Sequence, residues 1–303
     1  MNMRFETAGG LVAIVLWSAT FALARSLAER VGPLTAAAAA YLVGGALLFL
    51  QPTRWRTSPP VPSARSHRYL VGCGFLFVLY TALIYLAVGL AKGREQVLEI
   101  ALVNYLWPAG TILLSLPLLG NRAGPMLLPG TVLALAGVFM VMTQGDGVSW
   151  ASFADHVQSN PAAYLCALIA AIAWALYSNL ARRWSRPGDR GAVEWFIGAT
   201  GVVLIVMRML AGEQSKWSAG AVGETVALGA ITALSYALWE VAMRRGNLLL
   251  VVACSYATPL LSTLVSCAYL QVAPGPRLWL GCLVLVIGSL ISWRSVSEHE
   301  MPK

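Results

Sequence analysis

The sequence predicts an all-α integral membrane protein with about ten transmembrane helices, arranged as two inverted repeats of five helices each. Three observations carry this. The first is composition: of 303 residues, 58% are hydrophobic and only 11% charged, with a mean hydropathy of +0.70. That is too little charge to cover a water-soluble domain of this size. The second is a succession of apolar runs about 17 to 25 residues long, the length that crosses roughly 30 Å of hydrocarbon. The third is a repeat that emerges when the chain is slid along itself.

The predicted spans cover 7–25, 34–51, 69–90, 96–119, 126–144, 161–181, 191–210, 221–243, 247–270 and 277–294. Gly32-Pro33 opens the second, and a polar, Pro-rich stretch over 52–68 separates it from the third. Gly120 to Pro125 divides the fourth from the fifth, and 144–161 reads as the loop between the halves. The first run, with Arg4 ahead of it and Ala22-Leu23-Ala24 behind, has the outline of a secretory signal. Its counterpart in the repeat predicts instead that it stays as a span.

Basic residues set the orientation. Arg4, Arg54, Arg56, Arg65, Arg68, Arg122, Arg182, Arg183, Arg186, Arg190, Arg244, Arg245, Arg294 and Lys303 fall on one side of the predicted topology. Arg25, Arg30, Lys92, Arg94, Arg208, Lys216 and Arg277 fall on the other. The richer side is the cytoplasmic one, so both termini are expected in the cytoplasm and the chain in the cell (inner) membrane. The same asymmetry accounts for the net charge of +8. No basic stretch is interleaved with exposed aromatics, so no nucleic-acid partner is expected; the expected surroundings are membrane lipids.

At a shift of 151 residues, Tyr85 meets Tyr236, Tyr105 meets Tyr256, Pro108 meets Pro259, Pro125 meets Pro276, Gly130 meets Gly281 and Gly137 meets Gly288. At a shift of 157, Trp17 meets Trp174, Arg25 meets Arg182 and Gly44 meets Gly201. The change of shift falls in the Pro-rich loop, where an insertion is harmless. The halves are therefore 1–151 and 152–303. Five spans per half is an odd number, so the second half enters from the opposite side, the inverted arrangement of many secondary transporters.

Chemistry-bearing residues are few. Pro108 and Pro259 stand inside their predicted spans and would free the carbonyls of Asn104 and Ser255, which marks both as hinges or as cavity lining. Trp17, Tyr80, Trp107, Trp174, Tyr177, Tyr236 and Trp239 lie away from the membrane surface. An indole or phenol there needs a polar partner, which turns it toward protein or a cavity. A cavity so walled suits flat apolar groups and, through the ring faces, cations. Ser178, Tyr105 and Tyr256 lie beside these positions and complete the candidate binding set with Asn104 and Ser255. Trp55, Trp150, Trp184, Trp217 and Trp293 fit the interfacial belt. Glu99 reads as interfacial, Glu240 as an ion pair with Arg244 one turn on, and the glycines at 130, 137, 281 and 288 as close helix contacts.

Several functions find nothing to build on. The cysteines Cys73, Cys166, Cys254, Cys267 and Cys282 lie singly in apolar stretches, and His67, His156 and His299 in predicted loops or the tail, so no metal or cofactor is expected. There is no phosphate-cradling loop and no nucleophile–base set, so an enzyme is not expected.

The stretch from Leu83 to Val141 runs as an apolar helix, a polar turn, a helix with a central proline, a Gly- and Pro-bearing turn and a Gly-rich helix; Leu234 to Trp293 repeats it. This resembles the repeated unit of the drug/metabolite transporter superfamily, and within it the ten-helix, EamA-like exporters. Asn104-Tyr105-Leu106-Trp107-Pro108 is similar to the fourth helix of bacterial aromatic amino-acid exporters. The chain departs from the superfamily at Gly120-Asn121-Arg122, where many members carry a Glu-Arg pair. The resemblance implies alternating access around a central cavity formed by helices 1, 3, 4, 6, 8 and 9, and export of amino acids, aromatic ones included. A multidrug or cationic-compound exporter of the same fold, or a channel-like facilitator, would use the same aromatic wall.

Overall fold

The computed structural model describes residues 5–50, 67–143, 150–185, 191–262, 264 and 276–297. The predicted loop over 51–66, the linker over 144–149 and the end of the ninth span beyond 264 lie outside the described residues. The described backbone is helical apart from turns and one two-residue ladder, in which β1 (Arg122–Ala123) runs antiparallel to β2 (Val296–Ser297).

Six helices are long and apolar enough to cross a membrane: Pro33–Leu50, Tyr69–Leu90, Glu95–Leu119, Pro161–Arg183, Val193–Ala211 and Ala219–Arg245. The first helix, α1 (Phe5–Val31), qualifies as two segments bent by 45°. Shorter apolar helices cover Leu127–Val141 and Leu278–Arg294. Many apolar side chains point outward, among them Leu50 at 78% exposure and Leu210 at 84%. Water would penalise such a surface and lipid does not. The molecule is a multi-pass membrane protein.

Gly32, in the left-handed region at φ 89°, ends α1, and Pro33 opens α2 (Pro33–Leu50), where a missing donor costs nothing. The Glu213 carboxylate then caps α2 by accepting the N–H groups of Leu34 and Thr35 at 3.1 and 2.7 Å. A π-helical turn (Tyr69–Cys73) leads into α3 (Gly74–Leu90).

The fourth predicted span is two helices, α4 (Arg94–Asn104) and α5 (Trp107–Leu119), broken at Tyr105-Leu106. At the break Leu106 N–H donates to the Val103 carbonyl at 3.1 Å and Gly110 N–H to the Leu106 carbonyl at 2.9 Å. The ninth predicted span breaks in the same way. There α11 (Leu248–Ser255) stops, Ala257 N–H donates to the Cys254 carbonyl at 3.0 Å, and Leu261 N–H donates to the Ala257 carbonyl at 2.9 Å as the helix resumes over 258–262. Each bond lies 151 residues from its counterpart. Here the sequence reading needs correcting: Pro108 and Pro259 are not interior to a continuous helix but second in the helical stretch after the break, where a free donor is expected anyway.

Between them lie α6 (Leu127–Met142), α7 (Trp150–Ser159), α8 (Pro161–Arg183), α9 (Val193–Ala211) and α10 (Ala219–Arg245), and after them α12 (Pro276–Arg294). The helix α7 occupies part of what reads as a loop in the sequence. Its ten residues are too few to span and too polar to signal a span, but Phe153 and Val157 share one face and dock on apolar residues.

The chain divides into two compact units, one of Met1–Val78 with Leu180–Gly246, the other of Leu79–Asn179 with Asn247–Lys303. In the first, α2 packs on α9 and α10, and α1 on α10. Glycines set these contacts: a Cβ on Gly45 would stand 3.1 Å from the Gly198 Cα, and one on Gly44 2.8 Å from the Gly229 carbonyl oxygen. In the second unit, α6 crosses α12 antiparallel. A Cβ on Gly137 would overlap Leu285, and one on Gly288 would overlap Ala134. Shifting either pair by 151 residues gives the other.

Candidate functional site

Each unit holds one cluster of aromatic side chains built on predicted site residues. In the first unit, Trp17 on α1 meets two residues of α10, Tyr236 at 5.5 Å between ring centroids and Trp239 at 4.9 Å. Tyr236 and Trp239 stand three positions apart, which puts both on one face of α10. Phe77 packs edge-on to Tyr236 at 4.9 Å, and the Tyr41 and Tyr236 hydroxyls lie 2.7 Å apart. Trp239 is fully buried.

In the second unit, Trp174 on α8 is the centre. Tyr80 of α3 lies 4.7 Å from it, Tyr177 of the next turn 5.0 Å, and Trp107, the first residue of α5, stands edge-on at 6.3 Å. The break at Tyr105-Leu106 turns Trp107 and Asn104 onto different helices, α5 and α4. Asn104 lies beside the Tyr80 hydroxyl. Its Oδ1 is buried and has no hydrogen-bond partner among the described residues. Asn179, one turn along α8 from Ala175, donates from Nδ2 to the Thr111 carbonyl at 3.0 Å and keeps a buried Oδ1 without a partner among the described residues. A buried acceptor left open costs free energy unless water or a solute fills it. Ring faces suit flat apolar groups, and an open amide oxygen suits a cationic one.

Other predicted site residues are placed differently. Tyr105 and Tyr256 join an apolar core with Ala109, Ala134, Val138 and Leu285. Ser178 and Ser255 turn their hydroxyls onto their own helices, to the Trp174 carbonyl at 2.9 Å and the Val252 carbonyl at 2.6 Å. Pro108 is buried beside Trp107, and Pro259 stands just past Thr258.

Both acidic residues singled out in the sequence are buried, with partners from other elements. Glu240, 3% exposed, accepts the Tyr69 hydroxyl and the Ala192 N–H, the latter at 2.8 Å. Arg244 donates from Nε to the Ser185 hydroxyl at 2.7 Å, with its guanidinium 5.3 Å over the Tyr69 ring. Rather than a simple pair along one helix, the two tie α10 to the start of α3 and to the α8–α9 connection. Glu99 is 0% exposed. Its environment was illegible in the sequence because the groups that surround it come from α7 and α8. Among the described residues no group of His, Cys, Asp and Glu is placed to hold a metal ion.

Comparison with known proteins agrees with this architecture. The family described as the EamA-like transporter family matches residues 6–143 and 161–294. The chain is 31% identical over 296 residues, 97% of its length and 98% of the relative's, to the aromatic amino acid exporter YddG of Salmonella typhimurium. Its similarity to the aromatic amino acid exporter YddG of Escherichia coli is also 31%, over 294 residues, again covering 97% and 98% of the two chains. A solved crystal structure of a protein 30% identical in sequence superposes with a TM-score of 0.77, covering 95% of this chain and 96% of that one.

Proposed function

The chain belongs to the EamA-like transporter family, and from that premise we propose that it is a secondary transporter exporting amino acids, aromatic ones among them, by alternating access. The observation that carries the substrate class is the cluster around Trp174. Tyr80, Trp107 and Tyr177 present ring faces and edges to the indole, and Asn104 Oδ1 offers an open buried acceptor beside them. An aromatic side chain stacks on such rings, and an α-ammonium donates to an amide oxygen with the added strength of its charge. The relatives' names speak for the same substrates.

The proposed binding set is Trp174, Tyr80, Trp107, Tyr177 and Asn104 in one unit and Trp17, Tyr236 and Trp239 in the other. Tyr105, Tyr256, Ser178 and Ser255 support the helix breaks and the helix surfaces. The proposed architecture is ten spans in two inverted five-helix halves, 1–151 and 152–303, in the inner membrane with both termini cytoplasmic. Support for the inversion comes from the matching backbone bonds at the two breaks and from the antiparallel α6–α12 crossing, whose contacts exchange under the same shift. Breaks at equivalent places in two inverted halves supply one flexible point for each gate.

Titrating the purified protein with phenylalanine while following its tryptophan fluorescence tests the site. The wild type should show a saturable change. Trp174→Ala and Trp17→Ala should each weaken binding by a few-fold to about tenfold, the effect of losing a stacking partner of about 0.5–1.5 kcal/mol, with the thermal melt little changed. Unaltered binding in both variants would make these tryptophans packing residues.

A further inference from the structure

Glu99 is the carboxylate that the transport reading leaves unused, and three elements converge on it. It stands on α4 and is 0% exposed. The Tyr164 hydroxyl of α8 donates to Oε2, and Nδ1 of His156, on α7, lies 3.1 Å from both carboxylate oxygens. The His156 side chain is 27% exposed, so one end of the pair reaches solvent while the other is sealed. Ile100, Ala87, Ala163 and Ala167 wall the cluster, with Phe153 and Val157 of α7 against them. Other polar groups nearby are already engaged. Gln96 accepts from the Asn160 amide at 3.0 Å, and the Lys92 ammonium turns to the Ser159 carbonyl at 3.4 Å. Asp155 of α7 and Glu95 of α4 are exposed.

We propose that Glu99, His156 and Tyr164 form a proton-binding site, and that the single proton held there keeps α7 docked on α4 and α8. A carboxylate facing a neutral imidazole leaves a net negative charge in an apolar wall, and its donors among the described residues, the Tyr164 hydroxyl and the imidazole, are then both neutral. One further proton, on either partner, makes the pair neutral overall, whether as imidazolium and carboxylate or as imidazole and carboxylic acid. A buried charge without compensation is far more costly than the compensated pair. The proton therefore belongs to the docked arrangement. Docking is favoured while the pair is protonated and weakens as pH rises and the proton leaves. Histidine is the side chain suited to this between about pH 5 and 8, and its exposed edge is the route in and out. The site needs no transported solute, so it stands or falls apart from the substrate assignment.

The chain has only three histidines, so nuclear magnetic resonance of histidine-labelled full-length protein resolves His156, assigned by its absence in His156→Gln. In Glu99→Gln, with the negative partner gone, the imidazolium should lose its proton at a lower pH than in the wild type. Glu99→Asp, which keeps the charge but shortens the reach, should show a smaller change in the same direction and covers the case that the glutamine variant does not fold. Maleimide labelling reads the docking. In a background without other cysteines, the rate at Val157→Cys on the docked face, divided by that at exposed Ala154→Cys, should rise several-fold across the same pH range. A His156 titration indifferent to both Glu99 variants, or a labelling ratio flat with pH, would overturn the proposal.

Discussion

Asn104 lies beside Tyr80 and keeps Oδ1 buried without a partner among the described residues. Such an oxygen costs about 1–3 kcal/mol of stability when nothing fills it. Asn104→Leu should therefore leave the protein as stable as before or more so, while weakening amino-acid binding by about tenfold, the effect of losing one charge-assisted hydrogen bond of roughly 1.4 kcal/mol. A melt paired with the phenylalanine titration checks both halves, and unchanged affinity would make Asn104 a packing residue. Some of the candidate site was legible one residue at a time. Trp17 and Trp174 stand out because they coincide under a shift and lie where a belt tryptophan has no reason to be. Glu99 is visible as a carboxylate near the end of its span, but its burial is not, because burial depends on neighbours. Its partners Tyr164 and His156 lie more than 50 residues away, His156 in a stretch too polar to read as an element. Asn179 lies outside the predicted site set for a related reason: a lone asparagine near a helix end gives no hint that its oxygen is left open.

At the scale of elements, six of the ten predicted spans coincide to within a few residues with helices long and apolar enough to cross a membrane, because twenty apolar residues can do little else in lipid. The first runs six residues further than predicted, to Val31. The breaks inside the fourth and ninth spans were legible only as prolines. Hydropathy is blind to a two-residue interruption, and a proline alone does not say whether it kinks a helix or begins one. In the structure both begin one, after a tightened turn. Pro108→Ala and Pro259→Ala should each restore a donor at the break and favour a straighter path. Both variants should remain folded and transport more slowly. If the halves are inverted, they should shift thiol labelling of cysteines introduced at the outer vestibule in opposite directions. Shifts of the same sign in both variants would separate the breaks from the gates.

At the scale of the whole molecule, the two compact units are not the two halves of the repeat, since each draws helices from both. Sequence periodicity identifies which segments share an origin, whereas packing depends on which faces are smooth enough to meet. The glycines at 44, 45, 137 and 288 decide that here, by admitting a neighbouring backbone where a side chain would not fit. The seven-residue spacing of Gly137 with Gly130, and of Gly288 with Gly281, showed a helix contact but not its partner. A reporter fused after Lys303 should be active only in the cytoplasm if the basic residues orient an even number of spans; periplasmic activity would mean an odd number. The most direct test of the account is solute counterflow. Proteoliposomes loaded with unlabelled phenylalanine should take up labelled phenylalanine transiently above its outside concentration, saturably and in competition with tryptophan, and Trp174→Ala should lower that uptake several-fold. Flux that neither saturates nor responds to internal phenylalanine would contradict an alternating-access amino-acid exporter and indicate an open pore.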